Sequence, residues 1–287
     1  DDMSDWNIVL VANTGIEVTH ETDETVTLRV QAGESWDGLV AWCVERGYAG
    51  IEAMSGIPGS VGATPVQNVG AYGQEVSQVI TRVEFLDASS HEVSTKPAEF
   101  FEFSYRDSAL KRGLKGVIGW VEFKLYKLGG LSVPMASGQI TNHVGAEYGS
   151  QLPLDQVREV VLELRSSKGM VISEADPNSR SCGSFFTNPV VSSIKALEFP
   201  DEMQKWKMED GESVKLSAGW LIENAGIPKG YSIPGSKAAI SQKHALAITN
   251  TGGASAADVV ELARFIQERV SSRWGMNLIP EPNLIGF

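Results

Sequence analysis

Four short segments of this sequence carry residues whose types and spacing could do chemistry. The first runs from Gly56 to Gly73 and contains five glycines in eighteen residues. Glycine adopts main-chain conformations that other residues avoid and lets a ligand approach the backbone N–H groups closely. The segment has neither the pattern of a dinucleotide fingerprint nor the lysine of a P-loop. Its glycine content alone leaves an ordinary surface loop open as an alternative to a ligand cradle.

The second segment is Ser104-Tyr105-Arg106-Asp107-Ser108, which follows an apolar stretch that contains three phenylalanines. A fixed guanidinium at Arg106 could stabilise the negative charge of an anionic intermediate. The alternative is a surface turn in which Arg106 pairs with Asp107, a contact that would contribute little.

The third segment, from Arg180 to Pro189, places Ser184 between a glycine and two phenylalanines. This pattern is typical of a hydroxyl held by apolar neighbours beside a ligand, or of a turn that enters a buried strand. The absence of partner spacing for a Ser–His–Asp triad argues against nucleophilic hydrolysis. We interpret Cys182 as a small buried hydrophobe.

The fourth segment centres on Glu281, which lies between Pro280 and Pro282 near the end of the chain. The two prolines restrict the backbone on both sides and remove two hydrogen-bond donors. A carboxylate in this position is either held for a specific contact or is simply solvated.

Composition limits the classes of function. A chain of 287 residues is long enough for two domains. Its net charge of -12 argues against a nucleic-acid partner. Two cysteines cannot build a disulfide framework, and the four histidines are scattered rather than paired for a metal. The start is acidic and no run approaches roughly 18 apolar residues, so we expect no signal peptide and no membrane span. A metal-free cytoplasmic protein is the expectation.

Hydrophobic periodicity predicts the elements that must position these residues. A helix capped by Ser35 should end at Gly47, and a second should begin at Ser255 with Asp258 as a variant capping box and end at Gly275. Further helices are predicted at Leu154 to Arg165 and Ser217 to Asn224. Strands are predicted at Ile8 to Ala12, Thr25 to Val30, Val79 to Leu86, Val117 to Tyr126 and Ala245 to Thr249. The polar stretch from Ile172 to Arg180 reads as a domain boundary.

In combination and in this order, the four segments resemble the UDP-N-acetylenolpyruvoylglucosamine reductase family, in its Tyr-Arg-Asp-Ser-containing subclass. The matching residues run from about Gly15 to the end of the chain. They comprise the glycine-rich segment, Tyr105 to Ser108, Arg165 to Gly169, Gly183 to Phe186 with Asn188-Pro189, Gly219 to Ile222, and Glu281 before Ile285-Gly286.

The resemblance implies an α+β protein with two domains. Residues 1–172 would form a vanillyl-alcohol-oxidase-like FAD-binding domain, incomplete at its N-terminus because the family's Gly-Ser-Asn loop should precede this sequence. Residues 173–276 would form a smaller α+β substrate-binding domain. Residues 277–287 would be a C-terminal segment that returns to the active site.

The resemblance also implies the chemistry. NADPH would reduce FAD, and the reduced flavin would reduce the enolpyruvyl ether of UDP-N-acetylglucosamine enolpyruvate to give UDP-N-acetylmuramate for peptidoglycan. Ser184 would protonate the substrate carbon next to the one that receives hydride, while Arg106 and Glu281 would polarise and stabilise the intermediate. Such roles suit a protein whose cofactor performs the hydride transfer.

By the same resemblance, two further sets of residues would bind ligands. The flavin would contact Gly56, Pro58, Gly59, Ser60, Gly62, Gln67, Asn68, Gly70, Ala71 and Tyr72. Substrate or NADPH phosphate would contact Tyr105, Arg165, Lys168, Asn188 and His244.

At two positions this sequence departs from the family pattern. Ser137 stands where a substrate-binding tyrosine is expected, and His244 stands where some members have a glutamine.

Two other interpretations stay open at this point. One is a different flavin-dependent oxidoreductase of the same fold, although such an enzyme would not need both Ser184 and Glu281. The other is a non-catalytic fragment that binds a nucleotide sugar without flavin. In each case we expect a monomer with a small-molecule partner and no membrane contact.

Overall fold

The computed structural model describes residues 6–208 and 210–286. These residues form two compact units, the first ending at Arg165 and the second beginning at Ser166. Each unit combines helices with strands and encloses its own apolar core. This content confirms the predicted α+β class. The domain limits at residues 172 and 276 stay predictions.

An antiparallel sheet organises the first unit. In chain order its strands are β1 (Ile16–Glu21), β2 (Thr25–Gln31), β3 (Tyr48–Ala49), β4 (Gly70–Ala71), β5 (Gln74–Glu75), β6 (Ile80–Asp87), β7 (Val93–Pro97) and β8 (Gly116–Lys127). Five strands follow the order β1-β2-β8-β6-β7, and β3 pairs with the end of β8. The strands β4 and β5 form a separate hairpin inside the glycine-rich segment.

The core of the first unit lies between this sheet and a helix, α1 (Trp36–Glu45). Strand β2 alternates strictly, with every second side chain fully buried, so one of its faces is committed to the core. Trp36 packs against Phe123 of β8 with ring centroids 6.1 Å apart, and its indole N–H donates to the carbonyl of Met54 at 3.2 Å. The helix is capped by Ser35, which accepts from Gly38, and the backbone turns left-handed at Gly47, as predicted.

Two further helices follow, α2 (Gly138–Val144) in the first unit and α3 (Leu154–Ser167), of which all but the last two residues belong to the first unit. The predicted apolar face of α3 is confirmed, because Val157, Val160 and Val161 are buried. Four short 3-10 segments complete this unit, Glu52–Met54, Val61–Gln67, Val76–Gln78 and Ala98–Phe101.

In its described residues, the second unit contains two small antiparallel sheets and three helices. Its strands are β9 (Val190–Ser192), β10 (Lys205–Lys207), β11 (Ser213–Leu216), β12 (Ala238–Ile240) and β13 (Ile248–Asn250); its helices are α4 (Ser193–Ala196), α5 (Ala218–Glu223) and α6 (Ala256–Trp274). The sheets have the orders β10-β11-β9 and β12-β13, and a 3-10 turn spans Pro177–Ser179. The capping box of Ser255 and Asp258 and the left-handed Gly275 bound α6 as predicted.

Three strand predictions need correction. Residues 8–12 form no strand and leave Val9 87% exposed, because this apolar run has no neighbouring strand in the described sheet. Val117 points outward whereas Ile118 is buried, because a register shift between β6 and β8 reverses the alternation there. The strand predicted at Ala245 to Thr249 begins only at Ile248.

In the part of the chain that the structure describes, no helix has the length and apolar character needed to cross a membrane.

Candidate active site

The first half of the glycine-rich segment is fixed against the entry to α1. The N–H of Trp36 donates to Gly59 at 3.0 Å, and the N–H of Gly62 donates to Ala32 at 2.8 Å. A Cβ on Gly62 would lie 2.6 Å from the Cβ of Ala32, so only glycine allows this approach. The loop is therefore a rigid feature attached to the sheet, and the ordinary surface-loop alternative does not describe it.

The centre of this loop offers main-chain donors to a ligand. Among the described residues, none accepts a hydrogen bond from the N–H of Gly59 or Ser60. Gly59 is exposed and has φ +111°, and a Cβ there would meet nothing within 4 Å. Consecutive open N–H groups next to a helix N-terminus suit the phosphates of a dinucleotide cofactor. The residues present thus fit the pyrophosphate of FAD.

An ion pair that the sequence analysis missed holds the start of the loop. The carboxylate of Asp37 accepts from the N–H of Gly56 at 2.6 Å, and Arg158 of α3 donates to its two oxygens at 2.6 and 3.0 Å. Burial raises the pKa of Asp37, but these hydrogen bonds outweigh that effect and leave the pKa below its ordinary value. A helical arginine and an acidic residue 121 positions apart in sequence carried no local signal of this contact.

The second half of the segment turns sharply at Asn68 and Tyr72, which both have positive φ, 48° and 51°. The turn at Tyr72 is followed by Gly73, where a Cβ would lie 2.8 Å from Ala136. Burial raises the pKa of the Tyr72 phenol, and the nearby charge of Arg165 opposes this shift. Burial also lowers the pKa of Arg165. The structure therefore brings a predicted flavin contact and a predicted substrate contact together.

Arg106 lies in a tight turn closed by reciprocal backbone hydrogen bonds between Ser104 and Asp107. Its guanidinium does not pair with Asp107, as the surface-turn alternative required. It donates instead to the carbonyls of Asn68, at 3.3 Å, and Gly70, and it pairs with Glu75 at 3.2 Å. The guanidinium carbon also lies 5.1 Å from the ring centroid of Tyr105. The predicted catalytic arginine is thus attached to the predicted flavin loop.

In the second unit, the C-terminal segment returns to Ser184. The N–H of Glu281 donates to the carbonyl of Phe185 at 2.8 Å, and Phe186 forms a β-bridge with Pro280. This pairing brings Glu281 next to the residue that follows Ser184, although 97 positions separate Glu281 from Ser184 in the sequence. The structure therefore brings together two of the three predicted catalytic residues.

Cys182 lies near this pairing and corrects one expectation. The residue is exposed and not buried, because it lies in the irregular stretch before Phe185 and Phe186, outside the apolar core. Desolvation nevertheless raises the pKa of the thiol, and the charge of Glu281 adds to the shift. The thiol is consequently not an activated nucleophile.

Asn188 serves a helix end. Its side-chain oxygen accepts from the N–H of Ala218, the first residue of α5, at 2.9 Å. This contact orients the amide of Asn188. Its role as a ligand contact stays a prediction.

Lys168 and Lys229 place positive charge near His244. Burial lowers the pKa of His244 to about 4, and the charges of Lys168 and Lys229 add to the shift. The imidazole is therefore neutral at pH 7, and its Nδ1 accepts from the N–H of Leu246 at 3.1 Å. Lys229 was missed by the sequence analysis. A lysine that precedes a glycine in a polar loop carries no distinguishing signal.

One residue of the predicted domain boundary, Asn178, contacts the segments next to both His244 and Lys168. Asn178 accepts from the N–H of Gln242 at 2.9 Å and from the hydroxyl of Ser241 at 3.0 Å. Gly169, next to Lys168, packs so closely on Asn178 that a Cβ there would lie 2.8 Å from it. The stretch predicted as a domain boundary therefore connects the segments that carry Lys168 and His244.

Two further features lie outside the candidate site. A surface cavity of about 570 Å³ between α6 and the loop at Tyr231 contains none of the predicted site residues. Among the described residues, no cluster of three His, Cys, Asp or Glu side chains could hold a metal ion.

Comparison with known proteins defines the class first. A model of an FAD binding domain matches residues 4–96. A second model, described as the C-terminal domain of UDP-N-acetylenolpyruvoylglucosamine reductase, matches residues 176–285. The chain is thus a flavoprotein of the two-domain type that the sequence analysis predicted.

Similar proteins then define the family. The chain is 45% identical to the UDP-N-acetylenolpyruvoylglucosamine reductase of Leifsonia xyli subsp. xyli over all of its own length and 84% of that protein. It is also 45% identical to the enzyme of that name from Mycobacterium marinum, over 78% of that protein. A crystal structure of the Thermus caldophilus reductase matches with a TM-score of 0.57 at 26% identity, covering 89% of this chain and 71% of that one. The chain belongs to the UDP-N-acetylenolpyruvoylglucosamine reductase family.

Proposed function

We propose that this chain uses NADPH and FAD to reduce UDP-N-acetylglucosamine enolpyruvate to UDP-N-acetylmuramate, a step of peptidoglycan synthesis, and that it acts as a cytoplasmic monomer. The FAD binding domain and the shared name of the relatives support the flavin and the reaction. The resemblance of the motifs supports NADPH, and the composition of the chain supports the compartment.

The glycine-rich segment is proposed to hold the flavin. The main-chain N–H groups of Gly59 and Ser60 would donate to its pyrophosphate, and the fixed approach of Gly62 to Ala32 keeps those donors in place. Tyr72 and the hairpin of β4 and β5 that contains it would line the same cradle. When bound, FAD supplies the acceptor and donor of hydride between NADPH and the vinyl methylene carbon of the substrate.

Ser184 is proposed to protonate the adjacent substrate carbon, and the contact of Glu281 with Phe185 is the observation that carries this proposal. A serine hydroxyl is a weak acid in water, so it can serve only where it is positioned beside a strongly basic carbon. The β-bridge between Phe186 and Pro280 joins the backbone next to Ser184 to the backbone next to Glu281, which supports such positioning.

Arg106 is proposed to stabilise the negative charge that develops on the substrate. Its planar guanidinium is held by two main-chain carbonyls and by Glu75, so little reorganisation is needed when charge appears. Tyr105 packs beside it and is proposed as a substrate contact.

Lys168, Lys229 and His244 are proposed to bind the phosphates of the substrate or of NADPH, since two ammonium groups around a neutral imidazole favour an anion. Arg165 and Asn188 are proposed as further ligand contacts.

The test replaces Ser184 with alanine and measures two rates separately. NADPH-driven bleaching of the flavin should proceed as in the unmodified protein, because that half-reaction puts no proton on carbon. Reoxidation by the enolpyruvyl substrate should slow by roughly 10²-fold or more, the scale of a lost general acid. Ser271→Ala, an exposed serine on α6, is the matched control. An equal loss in both half-reactions would mean that the hydroxyl is structural.

A further inference from the structure

Glu75 stands outside every residue set that the motifs identified, and yet both of its carboxylate oxygens are engaged. Its Oε1 lies 3.2 Å from Nη1 of Arg106, and its Oε2 accepts from Nδ2 of Asn68 at 2.8 Å. A carboxylate offers only acceptors, so it can satisfy two donors that approach from different sides. The side chain is 28% exposed, which shields the pair partly from solvent.

Asn68 is fixed by its other contacts. It is 1% exposed, its Nδ2 also donates to the carbonyl of Ser104 at 3.0 Å, and its Oδ1 accepts from the N–H of Ser77 at 3.0 Å. Glu75 is fixed as well, because its backbone N–H donates to Oε1 of Gln78 at 3.0 Å and its carboxylate accepts from Asn68. The carboxylate therefore has a defined position before Arg106 is considered.

The backbone of Arg106 has φ 54°, a left-handed conformation that is unfavourable for a residue with a side chain. Such a conformation persists where the surroundings determine it. Here the surroundings are the carbonyls of Asn68 and Gly70 together with Glu75, and the Arg106 side chain is only 15% exposed.

We propose that Glu75 is a positioning residue, which fixes the Arg106 guanidinium against residues 68–70 so that the arginine and the flavin loop are set as one unit. The proposal rests on the proposed function of Arg106. Its consequence is that loss of the Glu75 charge disturbs the half-reaction in which negative charge develops on the substrate.

The test is Glu75→Gln in the FAD-loaded protein, with Glu92→Gln as the matched control. Glu92 is an exposed carboxylate in the turn between β6 and β7. The glutamine amide must present its NH2 group to Arg106 or to Asn68, and both of these are donors. Reoxidation of the flavin by substrate should slow roughly tenfold to hundredfold, the scale of a misplaced catalytic group. Bleaching by NADPH and the thermal midpoint should match those of the control.

Two further measurements separate positioning from general stabilisation. In protein without added flavin, amide hydrogen exchange across residues 68–75 should rise in Glu75→Gln and not in Glu92→Gln. In an Arg106→Lys background, Glu75→Gln should slow reoxidation little further, because the guanidinium that Glu75 positions is already absent. If Glu75→Gln yields no folded protein, Glu75→Asp, which retains the charge but shortens its reach, should show the same selective loss.

The outcomes distinguish this proposal from the proposed function. If Arg106→Lys retained normal reoxidation, the role of the arginine itself would be wrong. If Arg106→Lys were slow while Glu75→Gln matched the Glu92→Gln control, the positioning role alone would fail. A loss in both half-reactions with a lowered thermal midpoint, or a full additional loss in the Arg106→Lys background, would likewise overturn it.

Discussion

The ion pair between Asp37 and Arg158 should contribute measurably to the stability of the first unit and to the order of its glycine-rich loop. The Asp37 carboxylate receives three hydrogen bonds, one from the N–H of Gly56 and two from Arg158. Replacing Asp37 with alanine removes all three and leaves the Arg158 guanidinium without its partner, while that side chain is only 20% exposed.

The size of the expected loss of stability follows from how far the ion pair is buried. Breaking a buried ion pair from one side costs about 3 to 5 kcal/mol. Asp37 keeps 36% of its side-chain surface exposed, so solvent screening reduces this figure. We expect Asp37→Ala to lower the free energy of unfolding of the first unit by roughly 2 to 3 kcal/mol, or about 30- to 150-fold in the unfolding constant. Asp37→Asn keeps an acceptor for Gly56 and should lose about 1 kcal/mol.

Urea denaturation would measure the loss of stability, and amide hydrogen exchange would measure the loss of order in the glycine-rich loop. Denaturation should report the loss of global stability in the order Asp37→Ala, then Asp37→Asn. Exchange at the Gly56 amide should accelerate strongly in the alanine variant and much less in the asparagine variant, because only the first loses the acceptor. Glu159→Ala, an exposed residue next to Arg158, is the control. A free energy of unfolding for Asp37→Ala within about 0.5 kcal/mol of that of the control would refute the reasoning.

Three further outcomes are expected. Because the pKa of His244 is lowered to about 4 in the folded protein, the unfolded chain binds the proton more readily. The free energy of unfolding should therefore fall as the pH decreases from 6.5 towards 4, by about 3 kcal/mol at most. His244→Gln should remove this contribution to the difference between the free energies of unfolding measured at pH 7 and pH 5. Gly62→Ala should destabilise the protein by about 1 to 3 kcal/mol in urea denaturation, because the new Cβ would lie 2.6 Å from that of Ala32. The same variant should bind flavin more weakly in a fluorescence titration, and tight flavin binding would contradict a rigid cradle. Ser255→Ala should lower the thermal midpoint through a loss of about 1 kcal/mol, because the hydroxyl accepts from the N–H of Asp258 at the start of α6; an unchanged midpoint would show that the cap is dispensable.

Local chemistry alone predicted the elements of this protein that depend on neighbouring residues. The caps at Ser35 and Ser255 and the apolar face of α3 are short-range features, so the sequence determines them directly. The α+β class and the family resemblance were also accessible, because the four motifs occur in a specific order. The resemblance identified Ser184, Arg106 and Glu281 as a set, although each residue has an ordinary surface interpretation when it is considered alone.

Tertiary structure decided the features that depend on long-range contacts. Asp37 meets Arg158 and Glu281 meets Phe185 across long stretches of chain, and no local pattern announces such pairs. Val117 faces outward because of a register shift against β6, which its own alternation could not show. Arg106 is held by the loop at Asn68 rather than by its neighbour Asp107, because the left-handed turn directs its side chain towards the carbonyls of that loop. A sequence determines which groups are available, whereas the fold determines which of them come within hydrogen-bonding distance.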